Sequence, residues 1–280
     1  MAIGITDSTY YGEIASAIRG KLRTSDTYKP SEMASAINDI TSDDAAILMG
    51  NMSGPVNNAS ITLLPNYAVY SCKTITGLTL PSCSRVESYA ARACTNLEYV
   101  SFPTCTYIGE YGFEECKKLS EVSFPSCSFV ASSAFQECTS LARIDFPLCG
   151  SIGGSAFKSC PSLTNVELPV LSSIGVSAFH SCINLEKITL PNIRYFTSSV
   201  FYGCVKLSQV FLLGPNVAGI INYGNGGVFG NTPISKSTYL GYFGSIYVPA
   251  SLYDSYMAVS TWSPYYDRFV SLTDEEIAAL

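Results

Sequence analysis

Cysteine and histidine are the residues of this 280-residue sequence that most readily suggest chemistry. Eleven cysteines suggest a metal or redox site, whereas the single histidine, His180, would have to serve any reaction that needs an imidazole. Zinc and redox sites gather cysteines through short motifs such as Cys-x-x-Cys, which does not occur here. Nine of the cysteines instead lie 11 residues apart: Cys72, Cys83, Cys94, Cys105, Cys116, Cys127, Cys138, Cys149 and Cys160. We therefore expect no metal site and no cofactor.

His180 lacks the companions that a catalytic histidine needs. No arrangement of Ser, Asp or Glu that breaks the sequence pattern accompanies it. Positions at multiples of 22 residues from His180 carry unrelated polar side chains: Arg92, Glu114, Gln136, Lys158 and Tyr202. We interpret His180 as surface variation, and we expect no catalytic residues and no enzyme.

Acidic pairs and glycine runs have structural interpretations as well. Glu114-Glu115 and Asp43-Asp44 are interpreted as solvated faces or helix caps. The runs Gly153-Gly154 and Gly224–Gly227 match neither glycine pattern of the phosphate-binding loops. Turn glycines explain them better.

These residues are spaced by an internal repeat of 22 residues. Six unbroken copies share a proline, at Pro81, Pro103, Pro125, Pro147, Pro169 and Pro191. A cysteine, a leucine and an aliphatic residue recur in the same frame, and phenylalanines from Phe113 to Phe201 mark the far side of each coil. Each copy thus has two apolar walls. Because one coil cannot bury them alone, neighbouring coils must stack into a solenoid.

Apolar and polar residues alternate in a short segment of each copy. Val100 and Phe102 face one side of a strand, whereas Tyr99 and Ser101 face the other. Successive strands form a parallel sheet with a spacing of about 4.8 Å, in about seven coils. Cysteines stacked at that spacing do not converge to the roughly 3.8 Å between Cβ atoms that a disulfide needs. Free, buried thiols and a reducing environment during folding are predicted.

Several copies resemble the BspA-type leucine-rich repeats. Segments such as Ile152-Gly-Gly-Ser-Ala-Phe157-Lys-Ser-Cys160-Pro-Ser-Leu163 and Ile174-Gly-Val-Ser-Ala-Phe179-His-Ser-Cys182-Ile-Asn-Leu185 carry the resemblance, which covers roughly residues 61 to 272. It implies an α/β repeat solenoid with short parallel strands on one face and a C-terminal cap that contains Trp262. The sequence departs from the pattern between Leu213 and Val248, where the coil is lengthened.

The outward strand positions differ from copy to copy, as expected for a ligand surface on a constant scaffold. A strip of polar and aromatic side chains on a rigid sheet suits recognition of a protein or glycan, because it offers hydrogen bonds and stacking without the entropy cost of ordering a loop. Alternatively, these are ordinary solubilising residues. The candidate ligand-binding residues are Tyr99, Glu121, Arg143, Asp145, Asn165, Glu167, Lys187, Gln209 and Phe211. A second candidate is the tyrosine-rich loop region near Tyr223, Tyr239, Tyr242 and Phe243.

Residues 1–44 predict a helical hairpin. Asp7 or Ser8 can cap the first helix, and Pro30 lies where the second begins. The segment from Glu13 to Ile37 resembles short N-terminal modules of tail-associated structural proteins of phages and prophages from gut bacteria. That resemblance implies attachment to other virion proteins or self-association through Ile14, Ile18, Leu22, Met33 and Ile37. Alternatively, the hairpin is a cap near Leu63 and Leu64.

The predicted organisation has four parts. Residues 1–44 are an attachment or oligomerisation module, 45–60 a linker and lead-in, 61–213 the solenoid, and 214–280 an elongated last coil and C-terminal cap.

Charge and hydropathy exclude several partners. A net charge of −6 with 14% charged residues is unlike a nucleic-acid binder. No apolar run approaches the roughly 18 residues of a spanning helix, so membrane insertion is not expected. With no recognisable signal peptide, we expect synthesis in a bacterial cytoplasm, release by lysis and a place in the virion.

Our leading hypothesis is a phage tail-associated protein that recognises a host cell-surface protein or glycan. A cellular BspA-like adhesion or protein-interaction module and a purely structural virion protein remain as alternatives.

Overall fold

The computed structural model describes residues 53–221, 227–235 and 243–280, which belong to one compact unit, Ser53–Leu280. The predicted N-terminal hairpin, with its five apolar attachment residues, lies outside the described residues, as do Tyr223, Tyr239 and Tyr242. The described strands are β1 (Gly54–Asn57), β2 (Leu63–Leu64), β3 (Ile75–Thr79), β4 (Arg85–Val86), β5 (Tyr99–Ser101), β6 (Tyr107–Ile108), β7 (Glu121–Ser123), β8 (Phe129–Val130), β9 (Ser151–Ile152), β10 (Asn165–Glu167), β11 (Ser173–Ile174), β12 (Lys187–Thr189), β13 (Tyr195–Phe196), β14 (Gln209–Phe211), β15 (Gly219–Ile220), β16 (Ser245–Pro249) and β17 (Phe269–Leu272).

One side of the solenoid, which we call the strand face, is formed by two parallel sheets in line. Their strand orders are β1-β3-β5-β7 and β10-β12-β14-β16-β17, and a single bridge from Ser123 to Asp145 continues the first sheet by one coil. Residues 22 apart pair directly, as Val100 does with Val122. Val100 and Phe102 are buried while Tyr99 is exposed, so the predicted alternation is confirmed.

An eight-stranded parallel sheet forms another side of each coil. Its eight described strands run in the order β15-β13-β11-β9-β8-β6-β4-β2. Each contributes two residues, of which the second, such as Ile108 or Ile152, is buried. This sheet adds to the single strand-bearing face that the sequence predicted.

The third side, which we call the turn wall, is built from stacked turns. Two positions per coil adopt a left-handed backbone, for example Tyr89 (φ 60°) and Ala93 (φ 59°). This conformation turns their amides toward the next coil, where they donate to the carbonyls of Glu110 (2.8 Å) and Glu114 (2.7 Å). Backbone hydrogen bonds between coils therefore continue on all three sides.

Phenylalanine rings fill the space between the three sides. Phe135, Phe157 and Phe179 lie in successive coils and stack with centroid distances of 5.3 and 5.2 Å. A second column, with Phe124 and Phe146, meets them at tilted or edge-on angles. These rings are essentially inaccessible to solvent, and the two columns together form a continuous aromatic core.

The described helices all lie in the C-terminal segment and close that end of the core. They are the α-helices α1 (Tyr253–Ala258) and α2 (Asp274–Ala278) and two 3-10 helices, Ala250–Leu252 and Ser260–Arg268. None of the described helices is long and apolar enough to cross a membrane. Trp262 donates from Nε1 to the Ala218 carbonyl (2.7 Å), and Tyr256 accepts from the Ala218 amide (3.0 Å). The predicted cap is therefore present.

Replacing Phe157 with Ala should lower the free energy of unfolding by about 3–5 kcal/mol, because the cavity lies between two stacked rings and coils couple only to their neighbours. Lys158→Ala, one residue away on the turn wall, should change it by less than about 0.5 kcal/mol. Guanidinium titrations followed by circular dichroism would measure both changes. Equal effects of the two substitutions would contradict the continuous aromatic core.

Candidate functional site

The strand face brings most of the predicted ligand-binding residues into two adjoining columns. One column contains Tyr99, Glu121, Arg143, Asn165, Lys187 and Gln209, and the other contains Asp145 and Glu167. All of them are exposed except Lys187, which is half-buried. Because pairing is in register, each side chain lies beside the corresponding side chain of the next coil.

Phe211 is the exception among the predicted residues. It is only 4% exposed, because its ring stacks on Tyr247 at 4.4 Å and the Lys187 ammonium lies 4.8 Å from its centroid. The expectation that this ring is available for ligand contact is wrong. Tyr247, which pairs with Phe211, is half-buried and takes the next place in that column. The 22-residue spacing does not lead to Tyr247, because the lengthened coil from Leu213 to Val248 breaks that frame.

Several polar side chains outside the strand face join neighbouring coils. On the turn wall, Arg92 pairs with Glu114 and with Glu115 (3.3 Å), and Gln136 donates to Glu114 from the next coil (3.2 Å). Glu114 is 5% exposed, so its interpretation as a solvated residue or cap is wrong. Burial raises the pKa of Glu114, and the neighbouring Arg92 guanidinium opposes that shift.

The strand face shows the opposite behaviour. Within the described part of the chain, the side chains of Glu121, Arg143, Asp145, Asn165 and Glu167 form no ion pair and no hydrogen bond. Neighbouring coils place them about one strand spacing, roughly 4.8 Å, apart. Lys187 alone among the charged residues of these columns has a partner, the Phe211 ring. The polar groups of this face are therefore free to contact another molecule.

Phe243, the described member of the predicted tyrosine-rich loop region, is an exposed ring. It is 72% exposed, and the Arg268 guanidinium lies 4.9 Å from its centroid. The other three members lie outside the described residues, so this second candidate stays a prediction.

The eleven cysteines are buried thiols outside any disulfide, which confirms the prediction. One column donates from Sγ to carbonyls of the preceding coil, as Cys138 does to Phe113 (3.1 Å) and Cys160 to Phe135 (3.1 Å). Burial raises the pKa of Cys105 to about 12 and that of Cys149 to about 11. Among the described residues, no group of three or more Cys, His, Asp or Glu side chains could hold a metal ion. The thiols therefore act as small apolar residues that donate a weak hydrogen bond.

His180 is half-buried and stacks on Tyr202 at 5.1 Å, with Nδ1 lying 2.8 Å from the Ser181 hydroxyl. Burial and the positive charge of Lys158 lower its pKa. No carboxylate is hydrogen-bonded to the ring among the described residues, so this Ser–His contact lacks the group that would orient a catalytic imidazole. The ring joins two coils of the turn wall.

Gly153 has a structural reason for being glycine. A Cβ atom there would lie 2.5 Å from the backbone nitrogen of Ser132 in the preceding coil. The close approach of two coils, and not a phosphate, therefore requires this residue.

Comparisons with known proteins give one family. The family described as "BspA type Leucine rich repeat region" matches in six copies, over residues 62–169 and 128–248. A leucine-rich repeat protein of T. pallidum is 30% identical, with a TM-score of 0.49 over 52% of this chain and 73% of that chain. One from Bacteroides ovatus is 18% identical, with a TM-score of 0.40 over 66% and 58% of the two chains. A leucine-rich cell surface protein of Faecalibacterium prausnitzii is 18% identical, with a TM-score of 0.32 over 76% and 82%. The comparison with curated proteins gives no match.

The native thiols should react very slowly with a thiol reagent at pH 8. Reaction requires the thiolate, and the raised pKa of groups such as Cys105 leaves little of it, in addition to blocking access. Absorbance after addition of Ellman's reagent would show all eleven thiols reacting only in guanidinium. A Thr139→Cys variant, which places a thiol at an exposed position, should gain one fast-reacting group. Fast labelling of the unaltered native protein would contradict the buried columns.

Proposed function

The chain belongs to the BspA-type leucine-rich repeat family, and from that premise we propose that it is a non-enzymatic binding protein that contacts another macromolecule through its strand face. The observation that carries this proposal is a row of exposed, unpaired polar side chains in successive coils of the strand face. Arg92 and Glu114 of the turn wall are paired inside the protein, whereas Glu121, Arg143 and Glu167 of the strand face are exposed and unpaired. The backbone of a regular sheet is already ordered, so no loop has to be ordered on binding, and this favours recognition.

The proposal extends to a place in the virion. Residues 1–44 attach the chain to other tail proteins or to further copies of itself, and the solenoid displays the strand face to a host cell-surface protein or glycan. Support for the attachment comes from the resemblance of Glu13–Ile37 to tail-associated modules of phages and prophages. If the chain is instead a cellular adhesion or protein-interaction module, it binds its partner through the same strand face. If it is a purely structural virion protein, the strand face binds no ligand.

Binding of labelled full-length protein to a panel of gut bacterial cells tests the proposal. A triple variant with Glu121→Ala, Arg143→Ala and Glu167→Ala should bind at least about tenfold more weakly, a loss of roughly 1.4 kcal/mol. The matched control, Glu110→Ala, Lys117→Ala and Glu137→Ala, also removes two carboxylates and one cation, but from exposed positions of the turn wall. It should bind like the unaltered protein.

The two triple variants separate the possible outcomes. Equal binding by the strand-face variant and the unaltered protein would contradict the proposed site and would direct attention to the exposed Phe243. Equal losses in both variants would indicate a nonspecific charge effect. An absence of binding to every strain would favour the structural virion role.

A further inference from the structure

The corner that follows each strand of the strand face contains a hydrogen-bonding position that we call the corner column. It is the residue directly after the repeat proline: Ser82, Thr104, Ser126, Leu148, Val170 and Asn192. Thr104, Ser126 and Asn192 each donate to the proline carbonyl of the preceding coil, at 2.9, 2.6 and 2.5 Å. Three members of the column thus connect neighbouring coils.

Leu148 and Val170 break this pattern in two adjacent coils. Neither side chain can donate a hydrogen bond, and the two are 57% and 41% exposed. Burial therefore does not explain them, and serine or asparagine at these places would connect the coils as in the neighbouring repeats. Departures from a local rule without local gain are expected at functional positions. Adjoining exposed aliphatic side chains supply apolar surface of the kind that a contact with another protein buries.

The surroundings of this pair are rich in hydrogen-bond acceptors. Asp145 and Glu167 lie three residues before Leu148 and Val170, and both carboxylates are exposed and unpaired within the described part of the chain. The carbonyls of Pro125 and Pro147, which the corner column would otherwise engage, receive no hydrogen bond from a described residue. A partner that fits must therefore place an apolar group on the pair and donors around it.

The charge of the strand face between β5 and β14 points in the same direction. Five carboxylates lie on or directly before the strand positions of these coils (Glu98, Glu121, Asp145, Glu167 and Glu186), against the two cations Arg143 and Lys187. The resulting net charge of −3 is half of the −6 carried by the full sequence. Charge complementarity therefore favours a basic partner.

We propose that Leu148 and Val170 form the apolar centre of the binding site and receive a polypeptide segment in which an aliphatic or aromatic side chain is flanked by Lys or Arg. This inference rests on the proposed function and specifies the class of partner. The aliphatic pair supplies the desolvated contact, and Asp145 and Glu167 pair with the flanking cations.

Selection of a random peptide display library on the full-length protein tests this site. Selected peptides should be enriched in Lys or Arg next to an apolar residue, and raising the salt concentration should weaken their binding. Peptides of this class should bind at least about tenfold more weakly to a variant with Leu148→Ser and Val170→Asn. That variant should keep or raise the melting temperature, because it restores the hydrogen bonds seen at Ser126 and Asn192.

A second aliphatic pair supplies the matched control. Ile183 and Val205 also lie 22 residues apart, are 44% and 43% exposed, and share a column with Thr95 and Thr139 before the strands. A variant with Ile183→Thr and Val205→Thr should bind the selected peptides like the unaltered protein. If the Leu148→Ser, Val170→Asn variant melts at a lower temperature than the unaltered protein, peptide binding is measured on the single Leu148→Thr variant instead. Threonine is chosen because Thr104, at the same position of the corner column, donates to the proline carbonyl of the preceding coil.

Each outcome decides for or against the site. Peptides that are acidic, or that bind both double variants equally, overturn it, as does a failure to select any peptide. If binding survives Leu148→Ser and Val170→Asn but is lost in the triple variant Glu121→Ala, Arg143→Ala and Glu167→Ala, the strand-face function stands and this centre is wrong. Binding that survives all of these variants overturns both.

Discussion

The exact superposition of one coil on the next is the constraint on which the rest of the structure depends. A shift of 22 residues along the chain places each side chain next to its counterpart in the following coil. The residue at each repeat position must therefore pack against the residues at the same position in both neighbouring coils. Phe135, Phe157 and Phe179 stack because of it, and Cys138 and Cys160 find their carbonyl acceptors in the preceding coil because of it. Backbone hydrogen bonds on three sides hold the register, and the aromatic column supplies the buried surface that stabilises it.

The parts of the fold that could be predicted are those in which a pattern repeats over several residues. Val100 and Phe102 alternate with Tyr99 and Ser101, and that period of two is enough to set the inward and outward sides of the strand face. The eight-stranded sheet has only two residues per strand, which is too short for an alternation of apolar and polar residues to reveal the strand. The sequence does not predict the left-handed turns either, because Tyr89 and Ala93 occupy a backbone conformation in which glycine or asparagine is expected.

The candidate site could be predicted for the same reason. The prediction fails where the 22-residue frame changes and where a polar residue is buried. Glu121, Arg143 and Glu167 follow directly from the strand register. Phe211 was misplaced because its cover, Tyr247, enters the column only after the lengthened coil. The sequence does not predict the burial of Glu114, because no local pattern reveals that its partner, Arg92, lies 22 residues away.

A solenoid must satisfy the polar groups of every coil, and this protein does so on its corners and on its turn wall. Ser126 and Asn192 connect coils at the corner column, and Gln136 and Glu114 connect them on the turn wall. Once these contacts hold the register, most of the outward strand positions, unlike Phe211, need no contact within the protein, and their side chains can be fitted to a partner. Leu148 and Val170 extend that freedom to a position that elsewhere connects coils. Because each coil is also joined to its neighbours by backbone hydrogen bonds on three sides and by the aromatic column, the loss of two corner hydrogen bonds is tolerated, and the scaffold can expose apolar surface there without losing its register.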